Sequence, residues 1–177
     1  MILDEAQKLI LCYGYQRVTM TDIARACRIS RTTLYKSYPN KESIIIGLIN
    51  EALQENIEAT EKLLATKETF ASKLEGFFDI WVIKPAASVI ELETGRDILM
   101  NVATYAPEAV DNHYQTFENM LVRLIRNEMK EQEDVSPEDL ARIFTLASKG
   151  MKASAEKLEE LERLIAGLIK LVVIAVG

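Results

Sequence analysis

Apolar side chains recur at steps of three and four residues along almost the whole chain, the spacing that keeps them on one face of an α-helix. Ile2, Leu3, Ala6, Leu9, Ile10 and Tyr13 form the first stripe, and Gly14 stops it as a glycine just past a helix C-terminus does. Thr19 precedes Asp22 at the spacing of a capping box, with Asp for the usual Glu, ahead of the short apolar face Ile23, Ala24 and Cys27. This predicts a second helix over about 20–27. Ser30 is a suitable N-cap for a third over 31–37, which Pro39-Asn40 breaks. Asn40 in turn can cap a long helix from Lys41 to about Ala65. Further helices are predicted over 69–84, ended by Pro85, and over 87–105, with Gly95-Arg96-Asp97 as a loop or a hinge. The remaining ones run from Pro107 to about Lys130, over 137–151 behind Ser136, and over 154–176. Glu131–Asp134 reads as a solvated acidic linker. No strand alternation or internal repeat interrupts this pattern. The expectation is an all-α fold of about nine helices: a three-helix head (1–45) followed by a helical bundle (46–177).

The short second and third helices, joined by a three- or four-residue turn, have the proportions of a unit that enters a DNA major groove. Ile23, Ala24, Ile29 and Leu34 are the apolar positions that would lock the pair together. Arg31, Thr32, Thr33, Tyr35, Lys36 and Tyr38 lie on or beside the second of the two, with chemistry suited to phosphates and base edges. Composition first argues the other way, because the 177 residues carry a net charge of −6. The charge is unevenly spread, however. Residues 1–50 hold seven basic and four acidic side chains, a net +3, which leaves −9 on the remainder. A basic end can approach phosphates while an acidic body keeps the protein in solution. A plain helical hairpin would not need Thr33, Tyr35, Lys36, Tyr38 and Lys41 clustered beside a basic patch.

From Gly14 to Ile44 the chain resembles the tetracycline-repressor (TetR) family of bacterial regulators. The residues that carry the likeness are Gly14-Tyr15, Thr19, Asp22-Ile23-Ala24, Ile29-Ser30, Thr33-Leu34-Tyr35, Tyr38-Pro39 and Lys41-Glu42, with Ile2-Leu3 and Ala6 fitting the first helix. The resemblance implies a homodimer with two DNA-binding heads reading a palindromic operator in double-stranded DNA. It implies that Thr19 and Lys41 touch phosphates at helix N-termini. Thr32, Thr33, Tyr35 and Lys36 would sit on the recognition helix, with Arg31 at its start and Tyr38 at its end. Two departures stand out. Arg28 occupies a turn position that usually holds glycine, so a left-handed conformation there costs about 1 kcal/mol or more. Many relatives carry a basic arm before the first helix, whereas this sequence opens on Met1-Ile2-Leu3, so readout by such an arm is expected to be absent or to have been removed.

Two apolar helices close the chain. Leu158, Leu161, Ile165, Leu168, Val172 and Ala175 recur at three- and four-residue steps, widened by Leu164, Ile169 and Leu171. Leu140, Ile143, Phe144, Ala147 and Met151 make a stripe on the helix before. A helix this apolar must bury more than one face, and pairing both with symmetry mates gives a two-fold four-helix interface. Phe144, Met151, Leu161, Ile165, Leu168 and Val172 are the candidate interface residues.

Most aromatic residues fall in the middle of the chain, where they form a core or line a sensor pocket for an unidentified small molecule. Phe77, Trp81, Met100, Tyr105, Tyr114 and Phe117 are the pocket candidates; Trp81, Tyr105 and Tyr114 add polar tips. His113, the single histidine, reads as a surface group, a ligand donor or a pH-sensitive one. It cannot support a multi-histidine metal site, and neither metal nor cofactor is expected. Cys12 and Cys27 lack metal or redox spacing and read as small buried hydrophobes in a reducing compartment. The chain shows no GxSxG, P-loop, dinucleotide or zinc motif, so no enzyme is expected. No signal peptide or membrane span is expected either. The sum is a cytoplasmic DNA-binding regulator, a repressor, whose operator affinity is set by a small molecule in the helical body. The alternatives are a ligand-independent repressor and a helical dimer acting through protein partners.

Overall fold

A computed structural model of the chain describes residues 2–66, 68–129 and 135–176. The acidic segment Glu131–Asp134, the end expected near Lys130 and the side chain of Ala175 lie outside the described residues. Among those residues the fold is all-helical. Nine helices follow one another: α1 (Ile2–Tyr13), α2 (Met20–Ala26), α3 (Arg31–Ser37), α4 (Lys41–Leu64), α5 (Phe70–Phe78, extended by Asp79–Ile83 and Lys84–Ala87), α6 (Glu93–Tyr105), α7 (Pro107–Arg126), α8 (Pro137–Ser154) and α9 (Leu158–Val176).

Local chemistry sets most of the helix starts. Thr19 Oγ1 accepts from the Asp22 backbone N–H at 3.2 Å while the Asp22 carboxylate accepts from the Thr19 N–H at 3.0 Å, a complete capping box. Ser30 accepts from the Thr33 N–H at 3.0 Å, Asn40 from Ser43 at 2.8 Å and Ser136 from Asp139 at 3.0 Å. Each bond satisfies a backbone donor that the first helical turn leaves free. At the other end of α2, Arg28 takes φ +55°, as its glycine-like position requires. The Arg28 N–H then reaches the Arg25 carbonyl (3.1 Å) and the Ile29 N–H the Ala24 carbonyl (3.0 Å), the paired bonds of a Schellman cap. That turn aims α3 away from α2.

Pro85 does not end its helix, contrary to expectation. Proline has no N–H to give to Trp81, so the chain widens into a π-helical turn over Asp79–Ile83, in which the Lys84 N–H bonds the Asp79 carbonyl five residues back. The helix ends only after Ala87. Gly95 is not a break either: it is buried in the first turn of α6, where a Cβ would strike the Val89 carbonyl oxygen. Glycine lets α6 press directly onto the backbone of the preceding turn.

Two apolar cores result. The head core gathers Ala6 and Ile10 of α1, Ile23 and Ala24 of α2, Leu34 of α3 and Ile44 and Ile45 of α4. It also takes Ala106 and Ala109 and the half-buried Ile98, Val102 and Tyr105 from α6 and α7, so body helices complete it. The body core is built by Phe77, Phe78 and Trp81 of α5, Phe117, Leu121 and Ile125 of α7, Phe144 of α8 and Leu161, Ile165 and Val172 of α9. Helix α4 serves both: Ile49 packs on the head core and Leu53, one turn later, on the body core.

Candidate nucleic-acid interface and effector cavity

Helix α3 buries a single side chain, Leu34, which anchors it to the head core. Around that anchor Arg31, Thr32, Thr33, Tyr35, Lys36 and Ser37 are all exposed, Tyr35 by 43% despite its ring. Arg31, Thr32, Tyr35 and Lys36 have no intramolecular hydrogen bond or ion pair among the described residues, so their polar atoms face outward without partners. Arg25 and Arg28, exposed beside them, enlarge the positive surface; Arg25 lies 3.6 Å from Asp22.

The other four expected DNA contacts are already engaged within the head. Thr19 completes its capping box, and Thr33 Oγ1 hydrogen-bonds Ser30 Oγ at 2.8 Å. Tyr38 is half-buried, its ring closing over Gly47, where an added Cβ would lie 3.2 Å from it. Lys41 is a strut. Its Nζ donates to the Tyr15 carbonyl at 2.5 Å and lies 4.2 Å above the centre of the Tyr15 ring; burial holds its pKa below the usual lysine range.

Tyr15 organises the seam between head and body. Its hydroxyl donates to the Glu42 carboxylate at 3.1 Å, and its ring stacks on Tyr105 of α6. Burial first, then the Glu42 charge, raise its pKa and keep the phenol protonated. Gln16 Nε2 donates to the Tyr105 hydroxyl at 3.2 Å, and Thr94 Oγ1 donates to the Leu11 carbonyl at 2.5 Å. Both ends of α6 are therefore fastened to the head.

The body contains a cavity of about 190 Å³. Its wall comes from Ile49 and Ala52 of α4, Pro85, Val89, Ile98, Leu99 and Val102 of α6, Val110, His113 and Tyr114 of α7, and Lys152 of α8. Of the six expected pocket residues only Tyr114 lines it. Phe77, Trp81 and Phe117 instead fill the body core, with Phe77 and Phe117 ring centroids 5.0 Å apart, and the Trp81 indole N–H donates to Thr60 Oγ1 at 2.8 Å. Tyr105 belongs to the seam, and Met100 is 64% exposed. His113, weighed chiefly as a surface group, is half-buried on the cavity wall, edge-on to Trp81 at 5.2 Å between centroids. Burial and then the Lys152 charge hold its pKa down at about 4. A larger hollow of about 470 Å³, about as open as the first, lies over α1 and α2 in the head beside Arg17 and Arg25.

The six side chains expected at a dimer interface are turned inward. Phe144, Leu161, Ile165, Leu168 and Val172 are buried in the protomer's own core, and Met151 packs against it. The apolar residues these two helices expose form different stripes: Ile143 and Leu146 on α8, and Leu171 (61% exposed) and Ile174 (77%) on α9. Gly150 and Gly167, in register with them, have no neighbour within 4 Å of a would-be Cβ. Cys12 also departs from expectation: it is exposed, whereas Cys27 is half-buried with its thiol pKa raised by burial. No helix among the described residues is long and apolar enough to cross a membrane. No group of three or more His, Cys, Asp or Glu among them is placed to hold a metal ion.

Two short helices crossing through a fixed turn, the second with its polar face free, define a helix-turn-helix protein carrying a helical body. Residues 2–48 match the family described as "Bacterial regulatory proteins, tetR family". Over 73 residues the chain is 33% identical to the "Fatty acid metabolism regulator protein" of Bacillus subtilis (strain 168), a stretch that covers 41% of this chain and 38% of that protein. The chain thus spans well under half the length of that curated relative. Its fold is similar to the fatty acid degradation regulator FadR of Bacillus halodurans (TM-score 0.75, 18% identity, 97% of this chain and 92% of that one). It is likewise similar to Thermus thermophilus FadR, a TetR family transcriptional repressor solved in complex with lauroyl-CoA (TM-score 0.68, 19% identity, 97% and 91%). The likeness to the tetR family of bacterial regulatory proteins thus rests on residues 2–48 for sequence and on nearly the whole chain for fold.

Proposed function

We propose that this chain is a cytoplasmic transcriptional repressor, without enzymatic activity, that binds a palindromic operator as a homodimer and is controlled by a small molecule in the α4–α6–α7–α8 cavity. The observation that carries the reading is α3: one buried anchor, Leu34, beneath Arg31, Thr32, Tyr35 and Lys36, which have no partner among the described residues. Side chains free on an otherwise rigid helix suit base edges and phosphates. Thr19, Thr33, Tyr38 and Lys41 then act chiefly by fixing the head's shape.

The exposed stripes of α8 and α9 support the dimer. Ile143, Leu146, Gly150 and Ala153 recur at steps of three and four, as do Leu164, Gly167, Leu171 and Ile174. The glycines let two copies approach closely, and a two-fold pairing of this face gives a four-helix contact.

Control follows from the cavity's walls. Helix α6 lines the cavity and is fastened to the head at Thr94 and Tyr105; α4 lines it and runs into the head core. A molecule that widens the gap between α6 and α4 shifts the head relative to the body. A ligand preferring the non-binding arrangement 100-fold supplies about 2.7 kcal/mol per site. The T. thermophilus neighbour's complex with lauroyl-CoA supports a body that accepts ligands, and release from DNA on binding is the expected response.

The test is selection of bound duplexes from random DNA, followed by a salt titration of the best one. A steep negative log–log slope is expected. Lys36→Ala should lower that slope by about 1 and Tyr35→Ala should weaken binding at least about tenfold, both without loss of helical signal. Wild-type affinity in both variants would remove α3 from the interface.

A further inference from the structure

Lys152 lies on α8 with its side chain in the wall of the 190 Å³ cavity, among residues that are otherwise mostly apolar. No hydrogen bond or ion pair to it exists among the described residues. No carboxylate lines the cavity. Arg96 shares a small adjoining hollow with Lys152, but its charge is answered by Glu156 at 3.7 Å. Lys152 is half-buried, and an ammonium set into an apolar wall without a counter-ion is costly, where a methionine or leucine would fill the same space at lower cost. A second cation gives the region the same polarity: Lys149 lies 4.5 Å above the ring of Tyr114, itself a lining residue.

We propose that the cavity takes a small amphiphilic anion, an apolar body ending in one negatively charged group, and that Lys152 is the residue that recognises the charge. The proposal rests on the effector cavity proposed above and names its ligand class. The apolar wall from Ile49, Val89, Ile98 and Val110 receives the tail, and the anion pairs with Lys152 Nζ. In a site of low dielectric such a pair is far stronger than in water. Burial holds the Lys152 pKa down at about 8, so a bound anion would relieve that desolvation and keep the ammonium charged. The volume, about six water molecules' worth, is below the range of pockets that enclose drug-sized ligands, so the tail is short unless α6 moves.

Calorimetric titration with three probes of one chain length, octanoate, 1-octanol and octylammonium, tests this on the full chain. Octanoate is expected to bind at least tenfold more tightly than 1-octanol, and octylammonium more weakly than either. Lys152→Met should bring octanoate and octanol to within about twofold of each other while octanol binding persists; that retained binding shows that the cavity is intact. Lys152→Arg should restore the preference. Equal binding of octanoate and octanol to the wild type, or a preference that survives Lys152→Met, overturns the anion assignment and leaves the cavity standing. If none of the three probes binds the wild type, the cavity is not the effector site and both readings fall.

Discussion

The ring of Tyr15 in the head lies on the ring of Tyr105 in the body, centroids 4.0 Å apart and planes 25° from parallel. One residue lies at the start of the loop after α1; the other ends α6, which lines the cavity. Such a stack contributes about 0.5–1.5 kcal/mol beyond burial. Tyr105→Ala is expected to leave operator affinity within about threefold of wild type when no effector is present, because α3 is untouched. The shift in affinity on adding effector should shrink, since α6 then holds the head only through Thr94 and the packing of Ile98 and Val102. Fluorescence anisotropy of labelled operator with and without effector measures both. Tyr105→Phe, which keeps the stack and loses the Gln16 hydrogen bond, should retain most of the response.

Leu168 and Leu171, one turn apart on α9, predict opposite phenotypes. Leu168 is 4% exposed, and a glutamate there puts a carboxylate into the body core, which destabilises the fold by several kcal/mol. Leu171→Glu should leave circular dichroism unchanged and halve the mass seen by sedimentation velocity. A dimeric Leu171→Glu protein would place the contact elsewhere.

Arg28 holds φ +55°, where a side chain is strained and glycine is not. Arg28→Gly should raise stability by about 0.5–1 kcal/mol after the entropy of the more flexible unfolded chain is counted. Arg28→Val, β-branched at the same φ, should lower it by more than about 1 kcal/mol. Urea midpoints at constant slope separate the two. Loss of the positive charge should weaken DNA binding in both alike if Arg28 touches phosphate.

His113 makes stability depend on pH in a definite sense. Its folded pKa, about 4, is below the ordinary 6.5, so the unfolded chain binds its proton more readily. Stability from this group is complete above about pH 6.5 and is lost as pH falls toward 4, by up to about 3 kcal/mol. Urea midpoints measured from pH 7.5 to 5 should fall, and His113→Phe should flatten that fall whatever its effect on absolute stability.

The head was legible because its signals are local. Thr19 with Asp22, Ser30 with Thr33 and Asn40 with Ser43 are pairs three residues apart, and the left-handed Arg28 follows from its place in the turn. The body was less so. Helix α9 carries two apolar stripes roughly 100° apart, and spacing alone does not say which meets the protomer's own core. Leu161, Ile165, Leu168 and Val172 fill that core, leaving Leu171 and Ile174 outside. The cavity was illegible for a related reason. Ile49, Val89, Leu99, Tyr114 and Lys152 are distant in sequence, and aromatic content drew attention to Phe77 and Phe117, which pack rather than line. Lys152 was missed because a lysine near a helix end ordinarily points to water. Pro85 was over-read as a terminator, since a widened turn accommodates it.

Helix α4 is 24 residues long, about 36 Å, and each half is cemented into a different core. It has no glycine or proline between Ile49 and Leu53 at which to bend. A rotation of about 5° imposed at its far end therefore arrives at the DNA side as a displacement of roughly 3 Å, comparable to the rise of one base-pair step. In the two-headed particle proposed above that stroke would be doubled, so a molecule filling a space of a few solvent molecules would throw both α3 helices out of phase with the double helix.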